Sequence, residues 1–188
     1  MPKPAPVKIG TKDGGACTLQ TNNTLILGIG NTLLSDEGVG IHMLGYLDQQ
    51  YPGLPGVSYL DGGTLSFTLA PWIETADNLV VVDAAELDDE PGTVKVFTGT
   101  AMDRFAGETK RSVHEVSLGD LLSIARLTDA LPDNRALVAI QPQTVDWGSA
   151  LSMPVAAALP EAARRIIQLV RQWVPDEISI PVAAMQAM

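Results

Sequence analysis

The chain has 188 residues, 46% of them hydrophobic and 18% charged, with a formal net charge of −10. That length and content suit one domain with a sizeable core, and the low charge density argues against bulk disorder. The acidity opposes nucleic-acid binding, no apolar run reaches the ~20 residues of a membrane helix, and the single Cys17 excludes an internal disulfide framework or a Cys-rich zinc site.

Residues 1–23, rich in Pro, Lys, Gly, Thr and Asn, read as a poorly ordered extension without the apolar core of a signal peptide. A cytoplasmic protein is expected. "TLILGIG" (24–30) is a buried strand ending in glycines, followed by the loop "NTLLSD". From Glu37 the pattern is helical, with Val39, Met43, Leu44 and Leu47 on one face, until "YPGLPG" stops it. "VSYLDGG" (57–63) is a second strand, and "LSFTLAPWI" a short helix. "NLVVVDAAE" (78–86) is a continuous branched run, as in a parallel strand covered on both faces. "GTVKVFTG" (92–99) alternates like an edge strand, and "MDRFAGETKRSVHEVS" (102–117) reads as a polar loop. A helix over 118–127, a buried strand over 135–143 and a helix over 155–174 containing Pro160 complete the domain. Residues 175–188 read as a tail.

Strands alternating with helices predict an α/β three-layer sandwich: a mostly parallel, twisted sheet of about five strands with helices on both faces, forming a single domain over 24–174. In such a fold ligands gather beyond the carboxyl ends of the strands. Asp36 and Glu37 follow the first strand, Asp61 ends the second and Asp83 the third. Carboxylates collected at one sheet edge repel each other unless a cation or proton compensates, which suits a metal better than a phosphate.

The opening "GIGNTLLSDEGVG" resembles a dinucleotide turn, but the fingerprint needs a third glycine where Leu33 stands, and the loop is acidic. A metalloprotease H-E-x-x-H, a G-x-S-x-G elbow and a P-loop are all missing. His42 lies five positions after Glu37, roughly 140° round the helix at ~100° per residue, so it reads as a surface residue. His114 falls in the polar loop; a solvated imidazole and a metal ligand beside the carboxylates are both open readings. Each acid has a structural alternative: Asp36 as a helix cap, Glu37 as a helix-dipole partner, and Asp61 as a turn-former with Gly62 and Gly63 at positive φ. Asp83 is hardest to explain structurally, because an unpaired charge within a buried apolar strand is expensive.

"LILGIGNTLLSDEGVG", "YLDGGT", "LVVVDAAELDDEPGTV" and "SVHEVSLGDLL" occur in an order and spacing that resemble the [NiFe]-hydrogenase maturation endopeptidases, over about residues 24–174. The resemblance implies an endopeptidase that removes the C-terminal extension of the hydrogenase large-subunit precursor after nickel insertion. It implies Glu37, Asp83 and His114 as metal-contacting and catalytic residues, and Asp61, Gly62, Gly63 and Thr64 as a substrate-recognition element. The nickel would come with the precursor and serve as the recognition tag. Either the metal activates water or a carboxylate acts as general base in the manner of an aspartyl protease. A monomer is expected. The alternatives are a non-catalytic nickel-sensing chaperone on the same fold and a nucleotide-binding Rossmann-like domain.

Overall fold

The computed structural model describes residues 23–108 and 116–174. Most of the expected N-terminal extension, the C-terminal tail and His114 lie outside the described residues. The described residues form five strands: β1 (Thr24–Gly28), β2 (Val57–Asp61), β3 (Asn78–Ala84), β4 (Val94–Thr98) and β5 (Asn134–Ile140). Their order across the sheet is β2-β1-β3-β5-β4, with β4 antiparallel to β5 and all other pairs parallel.

The branched runs behave as expected of strands covered on both faces. Alternate residues of β1 and β3 point to opposite sides. Ile26, Val80 and Val82 meet Val138 and Ile140 of β5 in one core, packed under α1 (Val39–Gln50) and α5 (Met153–Trp173). Leu25, Leu27, Leu79 and Val81 belong to the other core, under α2 (Ala70–Thr75), α3 (Thr100–Glu108) and α4 (Leu118–Leu127). Most of these residues are fully buried, and removal of each such side chain from water contributes about 1.5–3 kcal/mol. The three-layer sandwich therefore has the expected form, with β4 at an edge. Among the described residues no helix is long and apolar enough to cross a membrane.

One element departs from the sequence reading. Residues 102–108, expected within a polar loop, belong to α3. Met102 and Ala106, four positions apart, supply its buried face, and Phe105 stacks on Phe97 of β4 with ring centroids 4.3 Å apart. Asp103 ties the helix to β5 by accepting from Arg135 Nε at 2.8 Å and Nη2 at 2.7 Å.

The chain leaves β1 towards β2 on one side and reaches β3 on the other, so the order reverses between β1 and β3. A crevice is expected beyond their carboxyl ends. Close glycine packing sets its floor. A Cβ on Gly28 would sit 2.4 Å from the Gly40 carbonyl oxygen, and one on Gly40 would sit 2.3 Å from that of Val82. Both glycines thus let the start of α1 press directly on the ends of β1 and β3.

Candidate active site

At that reversal point lies a cleft of about 380 Å³. Glu37 and Asp83 both line it, delivered by segments 46 positions apart in sequence. Asp83 continues the Leu79–Val81 face of β3 and is half-buried at the strand's end. Glu37 is also half-buried and lies in the 3-10 turn Ser35–Gly38 that leads into α1. Neither carboxylate lacks a partner. The cost of an isolated charge inside a strand therefore does not arise at Asp83, which opens onto the cleft.

The loop from β1 to Glu37 is folded tightly by Gly30. Its φ is +130°, and a Cβ there would lie 1.8 Å from the Glu37 carbonyl oxygen. Only glycine fits both the backbone conformation and the contact. On the opposite side, the Gly30 N–H donates to the Gly63 carbonyl at 2.9 Å, joining this loop to the turn after β2.

Asp36 is not a helix cap. The 3-10 turn and α1 have Leu34 and Gly38 at their cap positions, without a side-chain cap bond. The Asp36 side chain is instead fully buried. Its Oδ1 accepts from the Ser152 N–H at 2.7 Å, and its Oδ2 from the Ser152 hydroxyl at 2.7 Å and the Gln143 and Thr144 N–H groups at 2.9 and 3.1 Å. Burial by itself raises the carboxyl, but the Ser152 N–H and hydroxyl and the Gln143 and Thr144 N–H groups outweigh it and hold the carboxyl below its usual range. One buried anion thus fastens the β5–α5 connection to the turn that carries Glu37. Backbone bonds reinforce it: Ser35 N–H donates to Gly148 O at 2.7 Å, and Gly148 N–H to Leu33 O at 2.9 Å.

The D-G-G-T element divides. Gly63 and Thr64 line the cleft. Asp61 is exposed and accepts the Gly63 N–H at 2.9 Å, as a turn-former does. Gly62 packs under Leu27 and Ile29, and only Gly63 has the expected positive φ, at 51°. Val116, two residues after His114, also lines the cleft. Ser117 and Asp120 form a reciprocal capping box that fixes the start of α4 beside it. Among the described residues no group of three His, Cys, Asp or Glu side chains is placed to hold a metal; the third residue expected in such a group, His114, lies outside them.

His42 departs from its expected surface role. It is half-buried, and its Nε2 is buried without a hydrogen-bond partner. The reason is its position on the Val39–His42–Tyr46 stripe of α1, which turns towards the first core.

The fold and the two carboxylates at the reversal point define a class: an α/β protein with an acid-lined cleft beyond the ends of parallel strands. The comparisons make it specific. The model of the hydrogenase maturation protease family matches residues 41–169. The hydrogenase expression/formation protein HupD of Rhizobium leguminosarum bv. viciae is 35% identical over 150 residues, covering 79% of this chain and 74% of that protein. The corresponding protein HupM of Azotobacter chroococcum mcd 1 is 40% identical over 141 residues, covering 74% and 68%. The hydrogenase maturating endopeptidase HybD from Escherichia coli superposes with a TM-score of 0.75 at 30% identity, over 81% of this chain and 94% of that one. The chain belongs to the hydrogenase maturation protease family, and it is a peptidase.

Proposed function

We propose that this enzyme removes the C-terminal extension of a [NiFe]-hydrogenase large-subunit precursor in the cytoplasm, after nickel has been inserted, and that it works as a monomer. The reading is carried by one observation: Glu37 and Asp83, from distant segments, face the same cleft at the sheet's reversal point. Family membership supports hydrogenase processing as the activity.

In this reading the substrate's nickel is what the acids recognise. Carboxylate oxygens are suitable ligands for such a metal when imidazole or thiolate completes the set. Glu37 and Asp83 supply two oxygens, His114 is assigned the imidazole, and the precursor keeps its own ligands. A precursor without nickel offers these two carboxylates no cation, so its docking gains nothing from them. Hydrolysis then needs a water activated beside the scissile carbonyl. Asp83, fixed at the end of a rigid strand, is the better-anchored carboxylate for taking that water's proton. Gly63 and Thr64, which also line the cleft, are assigned the extended tail of the substrate.

Intact-mass measurement of the precursor, with and without nickel, tests this reading. The expected result is loss of the C-terminal extension only from the nickel-loaded form. A precursor that binds but keeps its mass would favour a nickel-sensing chaperone instead, and equal cleavage without nickel would remove the metal from recognition.

A further inference from the structure

Four large apolar side chains stand exposed beside the cleft and have no role in the chemistry above: Leu33 at 58% exposure, Val145 at 45%, Trp147 at 84% and Met153 at 87%. Sequence scatters them, but the backbone gathers them. Leu33 accepts from the Gly148 N–H, so the Trp147–Gly148 peptide lies against the β1–α1 loop. Ser35 Oγ donates to the Asp146 carbonyl at 2.9 Å, holding the Val145–Trp147 segment against the same loop. Ser152, immediately before Met153, is clamped by Asp36.

Single exposed apolar residues are ordinary, but a contiguous group on a monomer marks an interaction surface. Its charge content agrees. In a chain of net charge −10, residues 31–35 carry no charge, and residues 143–153 carry one, Asp146. Trp and Met are also among the side chains enriched at interfaces.

We infer that Leu33, Val145, Trp147 and Met153 form the docking surface for the folded body of the precursor, while its tail enters the cleft. The occupant follows from continuity. The loop that presents Leu33 also supplies Asn31 and Leu34 to the cleft wall. A protein whose scissile bond lies at Glu37 and Asp83 must therefore rest its bulk on an adjoining rim, and this rim is apolar. The Asp36 clamp holds that rim in fixed register with Glu37, so docking there sets the cut. The inference rests on the protease reading above, but binding and cleavage are separable.

The test uses the full-length chain and purified nickel-loaded precursor. Trp147→Glu and Met153→Glu are made singly and together, with Leu127→Glu, 85% exposed on α4, as the control. Binding is measured by calorimetry and cleavage as separate kcat and KM. The expected result is a rise of tenfold or more in Kd and KM for the double variant, with kcat within twofold of wild type and the control unchanged. Thermal melting at the wild-type temperature shows that either single variant is folded, so each remains informative alone. Unchanged Kd and KM in folded variants overturns the docking surface while leaving the protease reading intact. So does a wild-type dimer, seen by sedimentation, that the substitutions dissolve without changing KM. A wild type that binds but never cuts, with binding lost in the variants, keeps the docking surface and removes the protease reading. A wild type that does not bind the precursor overturns both.

Discussion

Ser152 gives both its backbone N–H and its hydroxyl to Asp36, each at 2.7 Å, across 116 positions of sequence. This contact joins the start of α5 to the turn preceding α1, and so connects the rim of the cleft to Glu37. Asp36→Ala would leave three N–H groups and a hydroxyl without their acceptor. Burial of unsatisfied donors, added to the loss of charge-assisted bonds, predicts about 2–4 kcal/mol of destabilisation. Urea denaturation measures it, and a loss under about 0.5 kcal/mol would show that water replaces the carboxylate without cost.

The same carboxylate gives a pH dependence of defined sign. Its folded-state value is depressed, so its contribution is fully present above the unfolded value of ~3.9. It is lost as pH falls through the lower folded value. The stability difference between wild type and Asp36→Asn should therefore be flat above about pH 5 and shrink as pH drops below about 4. Denaturant titrations at stepped pH check this; a gap that widens on acidification contradicts it.

Two glycines should respond oppositely to alanine. Gly30→Ala places a methyl group on the Glu37 carbonyl, at a φ that alanine rarely adopts. It should cost about 3 kcal/mol or more and displace Glu37, lowering activity beyond the stability loss. Gly45 lies within α1 with nothing within 4 Å of its would-be Cβ. There alanine should stabilise by about 0.5–1 kcal/mol, through helix propensity alone.

The missed helix has its own test. Asp103 is largely buried against Arg135, with side-chain exposures of 18% and 11%, whereas Arg126 is 54% exposed. Bidentate bonding to Arg135, against the opposing effect of burial, holds the Asp103 carboxyl below its usual range. Asp103→Ala strands the Arg135 guanidinium and should cost about 2–4 kcal/mol. Arg126→Ala removes only an exposed partner and should cost under about 1 kcal/mol. Melting curves of the two variants distinguish them.

These cases show which information the sequence carries locally. The runs Leu25–Leu27, Leu79–Val82 and Ala136–Ile140 are apolar enough to be recognised as buried strands, and residues 118–127 have a complete helical face with its capping Ser117. The strands end two residues earlier than expected, at Gly28, Asp61 and Ala84, although Ile29, Gly62 and Ala85 still donate to the neighbouring strands. Helix α3 was illegible because it has only Met102 and Ala106 as a fully buried stripe, and its anchor is Arg135, on another strand. The meeting of Glu37 and Asp83 at one cleft is legible because parallel-sheet topology brings strand ends together whatever their side chains. Asp36 was misassigned as a cap because its partners, Gln143, Thr144 and Ser152, are more than 100 positions away, and no local pattern announces them. The apolar rim was missed for the same reason.

Glu37 and Asp83 are proposed to act together in one cleft on a nickel-bearing substrate. The most direct measurement is time-resolved intact mass of nickel-loaded precursor with wild type, Glu37→Gln and Asp83→Asn. Both substitutions keep side-chain shape and remove charge, so melting temperatures should stay close to wild type. Each substitution should slow removal of the C-terminal extension by about 10²–10⁴-fold, and the double variant should be little slower than the worse single one. Processing at the wild-type rate by either folded variant would contradict that joint action.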